Sequence, residues 1–254
     1  MSAMQPTYQQ EFLINDAAVD CFGRLKPSML LFYVQEVAGI HATSLGAGFD
    51  ALALKNLFWA ILRTRVQITR LPMSGETIRV ETWPMPTSRV AYPRSVVAYD
   101  AAGNEVFRAI SLWCLMDTVN RSMVLPGKSG VTVDGCLLGN ELAAPGSLAI
   151  KELAHTQTRN VRFADLDRNG HMNNTRYLEW MGDLLPSSFH KAHTPKEFTV
   201  CYHSEALEGE ALDIHYELKE DGLLQVDAWR NQTDSAASHN RVFVAQIRYE
   251  TDIL

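Results

Sequence analysis

The chain has no apolar run approaching the roughly 18 residues that a bilayer-crossing helix needs. No membrane span is expected. Positive charge is also short, with 23 Lys and Arg against 29 Asp and Glu and a net charge of -6. That balance argues against nucleic acid, whose binders present basic faces to phosphate. Cysteine is scarce: Cys21, Cys114, Cys136 and Cys201 show neither a CxxC nor a Cys/His spacing. A zinc site or disulfide framework is therefore not expected, and buried free thiols are. The opening residues MSAMQPTYQQEF lack a basic start and an apolar stretch, so no signal peptide is expected and the expected compartment is the cytoplasm.

What is present is length enough for two domains, 254 residues, and an internal repeat. A shift of 147 places Asp20 on Asp167, Gly23 on Gly170, Leu25 on Met172, Leu31 on Leu178, Tyr33 on Trp180 and Glu36 on Asp183. A shift of 134 sets Pro72-Met73-Ser74-Gly75-Glu76 against Ala206-Leu207-Glu208-Gly209-Glu210, and one of 136 sets Val106-Phe107-Arg108-Ala109 on Val242-Phe243-Val244-Ala245. Each unit reads as an opening strand, one long helix, then strands joined by tight turns, an α+β pattern with an antiparallel sheet.

In the first unit Pro27 suits the first helical position, and Leu30, Val34, Val37 and Leu45 recur near a 3.6-residue period. Strands follow in NLFWAILRTRVQITRLP, ETIRVETWP, SVVAYD and VFRAISLWCLMD. The second unit's helix is expected from about Asn174 to Phe189. The expected division is 1–128, a Gly-, Ser- and Ala-rich linker over 129–152, and 153–254.

The segment VRFADLDRNGHMNNTRYLEWMGDLL crowds Asp, Asn and His into the start of that second helix. Asp165-x-Asp167-x-Asn169-Gly170 copies the start of a calcium loop, but its twelfth position is Arg176, where a bidentate Glu is required. No metal is expected. Asp167, Asn169 and His171 alternate, so on extended backbone they project to one side. A helix cap from Asn173, Asn174 or Thr175 follows, with N–H groups suited to an oxyanion. In isolation such a string reads as turn and cap residues around a structural histidine. The repeat weighs against that, because the first unit keeps Asp20 yet carries Phe22 and Arg24, so the turn requires neither Asn nor His. One working site per chain is expected, with the first unit free to shape a pocket.

These residues resemble the fatty acyl-acyl carrier protein thioesterases. The matching text is Asp167-Arg168-Asn169-Gly170-His171-Met172-Asn173-Asn174, with Cys201-Tyr202-His203-Ser204-Glu205 similar to that family's YxxE strand. Asn56-Leu57-Phe58-Trp59 and Gly75 to Trp83 add to the likeness, which runs from about Phe12 to Tyr249. It implies a double hotdog fold, two antiparallel sheets each wrapped around a long helix. It also implies hydrolysis of a fatty acyl thioester, with Asp167, Asn169, His171 and Glu205 as catalytic residues and no cofactor. Plant members often have Cys after the glutamate, whereas Ala206 stands here.

The implied partner is acyl carrier protein bearing a 4'-phosphopantetheine-linked acyl chain. A homodimer is compatible with this and stays open. His171 and Glu205 would activate water, Asn169 would orient it, and Asp167 would either orient its neighbours or attack the carbonyl itself. Met29, Leu30, Phe32, Tyr33, Val37, Leu57 and Trp59 are the candidate acyl-binding residues, each also suited to ordinary core packing. His41 is expected to be structural. Arg63, Arg65, Arg159, Arg162, Arg168 and Arg176 are candidates for carrier docking. The rival readings are a coenzyme A thioesterase, a non-catalytic acyl-binding hotdog module and a hotdog dehydratase.

Overall fold

A computed structural model describes residues 6–139, 141–150, 152–231 and 241–251. The chain divides into two compact units between Pro145 and Gly146. The first contains β1 (Tyr8–Leu13), α1 (Pro27–Ser44), α2 (Phe49–Ala53), β2 (Leu57–Ile68), β3 (Thr77–Pro84), β4 (Tyr92–Tyr99), β5 (Glu105–Asp117), β6 (Met123–Val124) and α3 (Pro126–Ser129). The second contains β7 (His155–Asn160), α4 (Asn174–Gly182), α5 (Ser187–Ala192), β8 (His193–Tyr202), β9 (Ala211–Leu218), β10 (Leu223–Arg230) and β11 (Arg241–Thr251). Residues 130–139 and 141–150 form neither helix nor strand.

Both units follow one path. The first sheet runs β1-β3-β4-β5-β2 with β6 beside β5, and the second runs β7-β9-β10-β11-β8. Every pairing along these two paths is antiparallel. Successive side chains of a strand point to opposite faces, as in β1, where half-buried and exposed residues alternate, so burying one face fixes the register. The repeat survives in the cores: Phe107 and Phe243 occupy equivalent places and both are fully buried.

α1 begins with Pro27 at its first turn, where the missing N–H costs nothing, and buries Leu30, Val34 and Val37. It lies against β1 and β3, with the Tyr33 ring 4.6 Å from that of Phe12. At its far end His41 is buried and its Nδ1 accepts from Arg94 Nη1 at 3.1 Å. A second bond from that nitrogen reaches Thr82 Oγ1 at 3.2 Å. Burial pushes the Arg94 guanidinium down to about 10, so it remains charged at neutral pH.

The second unit corrects one expectation. The helix expected over 174–189 is two helices, α4 ending at Gly182 and α5 starting after Pro186. Proline lacks the amide that would bond back to residue 182, its ring clashes with that carbonyl, and the preceding residue is pushed off helical geometry. The Gly182 carbonyl accepts instead from Leu185 N at 3.3 Å and from His190 Nε2 at 2.9 Å. α4 packs through Tyr177, whose ring is 5.6 Å from Tyr202 on β8 and 4.7 Å from Phe243 on β11.

Candidate active site

A short 3-10 turn precedes the site, and the same turn precedes α1 in the first unit: Asp16–Ala18 there, Phe163–Asp165 here. An aspartate then closes the next loop by accepting from amides two and four residues on. Asp20 Oδ1 takes Phe22 N at 2.9 Å and Arg24 N at 3.0 Å. Asp167 Oδ1 takes Asn169 N at 2.8 Å and, more weakly, His171 N at 3.4 Å. Gly23 and Gly170 both hold φ at 78°, a left-handed conformation that side-chain-bearing residues adopt at a cost. Equivalent antiparallel bridges, Arg24 to Met73 and His171 to Leu207, tie each loop to the turn before the next strand.

On this shared frame the two units place different chemistry. Arg24 pairs with Asp20 Oδ2 at 3.1 Å and lies over the Phe22 ring. In its place His171 reaches across to the turn after β8, where its Nε2 is 3.4 Å from Glu205 Oε2. The imidazole is 21% exposed and the carboxylate 41%, so the pair is open to solvent. The position matching Glu205 in the first unit is Leu71, which is buried.

Asn169 is exposed and its Nδ2 lies 3.4 Å from Asp167 Oδ2. Both Asp167 oxygens are thereby engaged by the turn. The α4 cap is Asn173, whose Oδ1 accepts from Thr175 N at 3.0 Å and Thr175 Oγ1 at 2.9 Å. The Arg176 amide bonds back to Asn173 O at 2.9 Å. That leaves the Asn174 amide as the first-turn donor not engaged by the cap.

Two residues beside the cluster carry no motif. Tyr177 is buried, and burial pushes its phenol well up, with Glu210, Glu205 and Asp167 acting in the same sense against Arg230. It therefore stays protonated within the field of these charged groups. The repeat alone marked the place, since Tyr177 falls where the first unit has Leu30. Arg230, at the end of β10, grips the turn that carries Glu205.

The acyl-binding candidates lie in two regions of the first unit. Leu30, Tyr33 and Val37 on α1 are buried, Met29 is half-buried and Phe32 is 41% exposed. Leu57 and Trp59 join a cluster with Leu52, Tyr92, Leu115 and Trp113. Trp59 Nε1 donates to Ala47 O at 2.8 Å and its ring meets Tyr92 edge-on. Of the docking candidates, Arg159 pairs with Asp183, Arg176 pairs with Glu179, and Arg63 donates to Pro145 O. Among the described residues no group of three or more His, Cys, Asp or Glu side chains could hold a metal ion.

The profile of the acyl-ACP thioesterase N-terminal domain matches residues 5–125, and that of the C-terminal domain matches residues 149–250. The chain belongs to the acyl-ACP thioesterase family. Among curated members of this family it is 25% identical over 213 residues to a chloroplastic palmitoyl-acyl carrier protein thioesterase of Gossypium hirsutum, covering 78% of this chain and 52% of the relative. It is 27% identical over 188 residues to a chloroplastic dodecanoyl-[acyl-carrier-protein] hydrolase of Umbellularia californica, covering 68% and 49%. The chain thus spans about half the length of these relatives. An acyl-ACP thioesterase structure from Bacteroides thetaiotaomicron superposes with a TM-score of 0.85 at 23% identity, over 98% of this chain and all of that one. The 12:0-ACP thioesterase structure from Umbellularia californica gives 0.81 at 22%, over 98% of each chain. The fold of this acyl-ACP thioesterase family member is accordingly the α+β double hotdog.

Proposed function

We propose that the chain hydrolyses the thioester of fatty acyl groups carried on acyl carrier protein, releasing free fatty acid and ending chain elongation. The observation that carries this reading is the His171–Glu205 pair, at 3.4 Å, on a turn that elsewhere in the same chain holds only Arg24 and Leu71. Family membership supports the substrate class, as do the acyl carrier proteins in the names of its relatives.

The leaving thiol ionises near pKa ~8.5, so it needs little protonation. The demands fall on attack and on the oxyanion. A water oxygen adds to the carbonyl carbon while His171, oriented by Glu205, takes its proton. The negative charge formed on the carbonyl oxygen is met by donors at the start of α4, the Asn174 amide first. Collapse re-forms C=O and breaks C–S, the sulfur leaves as thiolate, and the imidazolium returns the proton to it. Asn169 orients the water or the thioester.

The engagement of both Asp167 oxygens supports a positioning role for it, the one Asp20 performs, over direct attack. The roles proposed for the units are an acyl pocket in 1–128, lined by Met29, Leu30, Phe32, Tyr33, Val37, Leu57 and Trp59, a connection over 129–152, and catalysis in 153–254. Four free cysteines, Cys21 exposed among them, suit a reducing compartment such as the cytoplasm.

The test is free-thiol release from matched acyl chains on acyl carrier protein and on coenzyme A. Preference for the carrier substrate supports the reading. Preference for coenzyme A would move the assignment to an acyl-CoA thioesterase, and binding without release would make this a non-catalytic acyl-binding module.

A further inference from the structure

The strand-end turns of the two units are held by different wiring. In the first, Glu76 accepts Met73 N at 2.8 Å and is gripped by Arg70, at the end of β2, through bonds of 3.0 and 2.7 Å. The same guanidinium reaches Asp100, just past β4, at 3.1 Å. In the second unit Glu210 takes the place of Glu76 and accepts Leu207 N at 3.0 Å. The position of Arg70, however, is Ser204. The cation arrives from the opposite strand instead, as Arg230.

Arg230 is 16% exposed at its side chain and touches one turn at three points. Its Nε donates to Glu210 at 3.0 and 3.1 Å, its Nη1 to Ser204 Oγ at 3.0 Å, and its Nη2 to the main-chain carbonyl of Glu205. Ser204 in turn donates to Arg241 O at 2.9 Å. A planar guanidinium fixes the directions of its donors, which a flexible ammonium does not. The Glu205 main chain is thus held from β10, while its carboxylate faces His171 on the other side of the turn.

We propose that Arg230 is a positioning residue for the hydrolysis, setting the reach of Glu205 to His171 by clamping residues 204, 205 and 210. This rests on the function proposed above. Misplacement of a catalytic group by about 1 Å costs on the order of 100-fold in rate. Arg230→Met should therefore lower kcat about 10- to 100-fold while KM stays within about threefold. In a Glu205→Gln background the same change should cost less than about twofold, because the group it positions is already gone. Arg230→Lys keeps the charge against Glu210 but cannot span the other two contacts, so it should fold normally and still lose turnover.

Losses that multiply independently of Glu205, or wild-type kcat in both variants, would overturn the proposal. Crystal structures of wild type and Arg230→Lys supply a readout that needs no activity. Glu205 should face His171 in the first and be displaced in the second, and an unmoved Glu205 would overturn the inference. A wild-type protein that cleaves no acyl thioester would sink the function reading alone, leaving those structures to decide on Arg230.

Discussion

At the scale of single residues, the repeat supplies an internal control for each proposed role. Asp20 and Asp167 close the same loop through the same oxygen, so Asp20→Ala and Asp167→Ala should each destabilise the fold by about 1–2 kcal/mol, as for the loss of a side chain that caps backbone amides. Only Asp167→Ala should also reduce thioester hydrolysis. Thermal melts and turnover of the two variants check this, and equal turnover in both would remove Asp167 from the site. His171 was legible because an imidazole stands where the sister unit has Arg24, and Glu205 because Tyr202-His203-Ser204-Glu205 resembles the family's YxxE strand. Tyr177 and Arg230 were not, because their neighbours come from strands and helices far apart in sequence, and no local pattern records which way a side chain turns.

At the scale of elements, periodicity located α1 and the strands, and β-branched and aromatic residues marked β2 to β5. The break between α4 and α5 was written in the sequence as Pro186, which the single helix expected over 174–189 ran through. Local steric exclusion at that proline ends the helical path. The loop glycine matters in the same way. Gly170 holds φ at 78°, so Gly170→Ala should cost about 1 kcal/mol by melting and disturb the approach of His171 to Glu205. An alanine variant with wild-type melting temperature and turnover would contradict the required backbone geometry. The strand order was less legible, since alternation identifies a strand without naming its neighbour.

At the scale of the whole molecule, several carboxylates are held below their ordinary range. Glu76 is lowered chiefly by its bonds from Arg70, Asp221 by Arg248, and Asp100 and Asp117 by backbone amides of Asn104 and Asn120. A carboxyl with a depressed folded value adds stability above its unfolded value, here 4.5 for Glu and 3.8 for Asp, and loses it as pH falls through the folded one. Melting temperature should therefore hold from pH 7 to about 5 and fall below about 4, with Glu76→Gln flattening part of that fall. A Glu76→Gln curve parallel to wild type would contradict the role of Arg70.

In the proposed reaction one imidazole and one carboxylate, brought together by a turn the chain uses twice, perform the hydrolysis. Free-thiol release from a fatty acyl group on acyl carrier protein, followed for wild type, His171→Ala and Glu205→Gln, tests it most directly. Wild type should turn over steadily, and each variant should fall by about 100-fold or more with unchanged circular dichroism. Folded variants that release thiol at close to the wild-type rate would contradict the account.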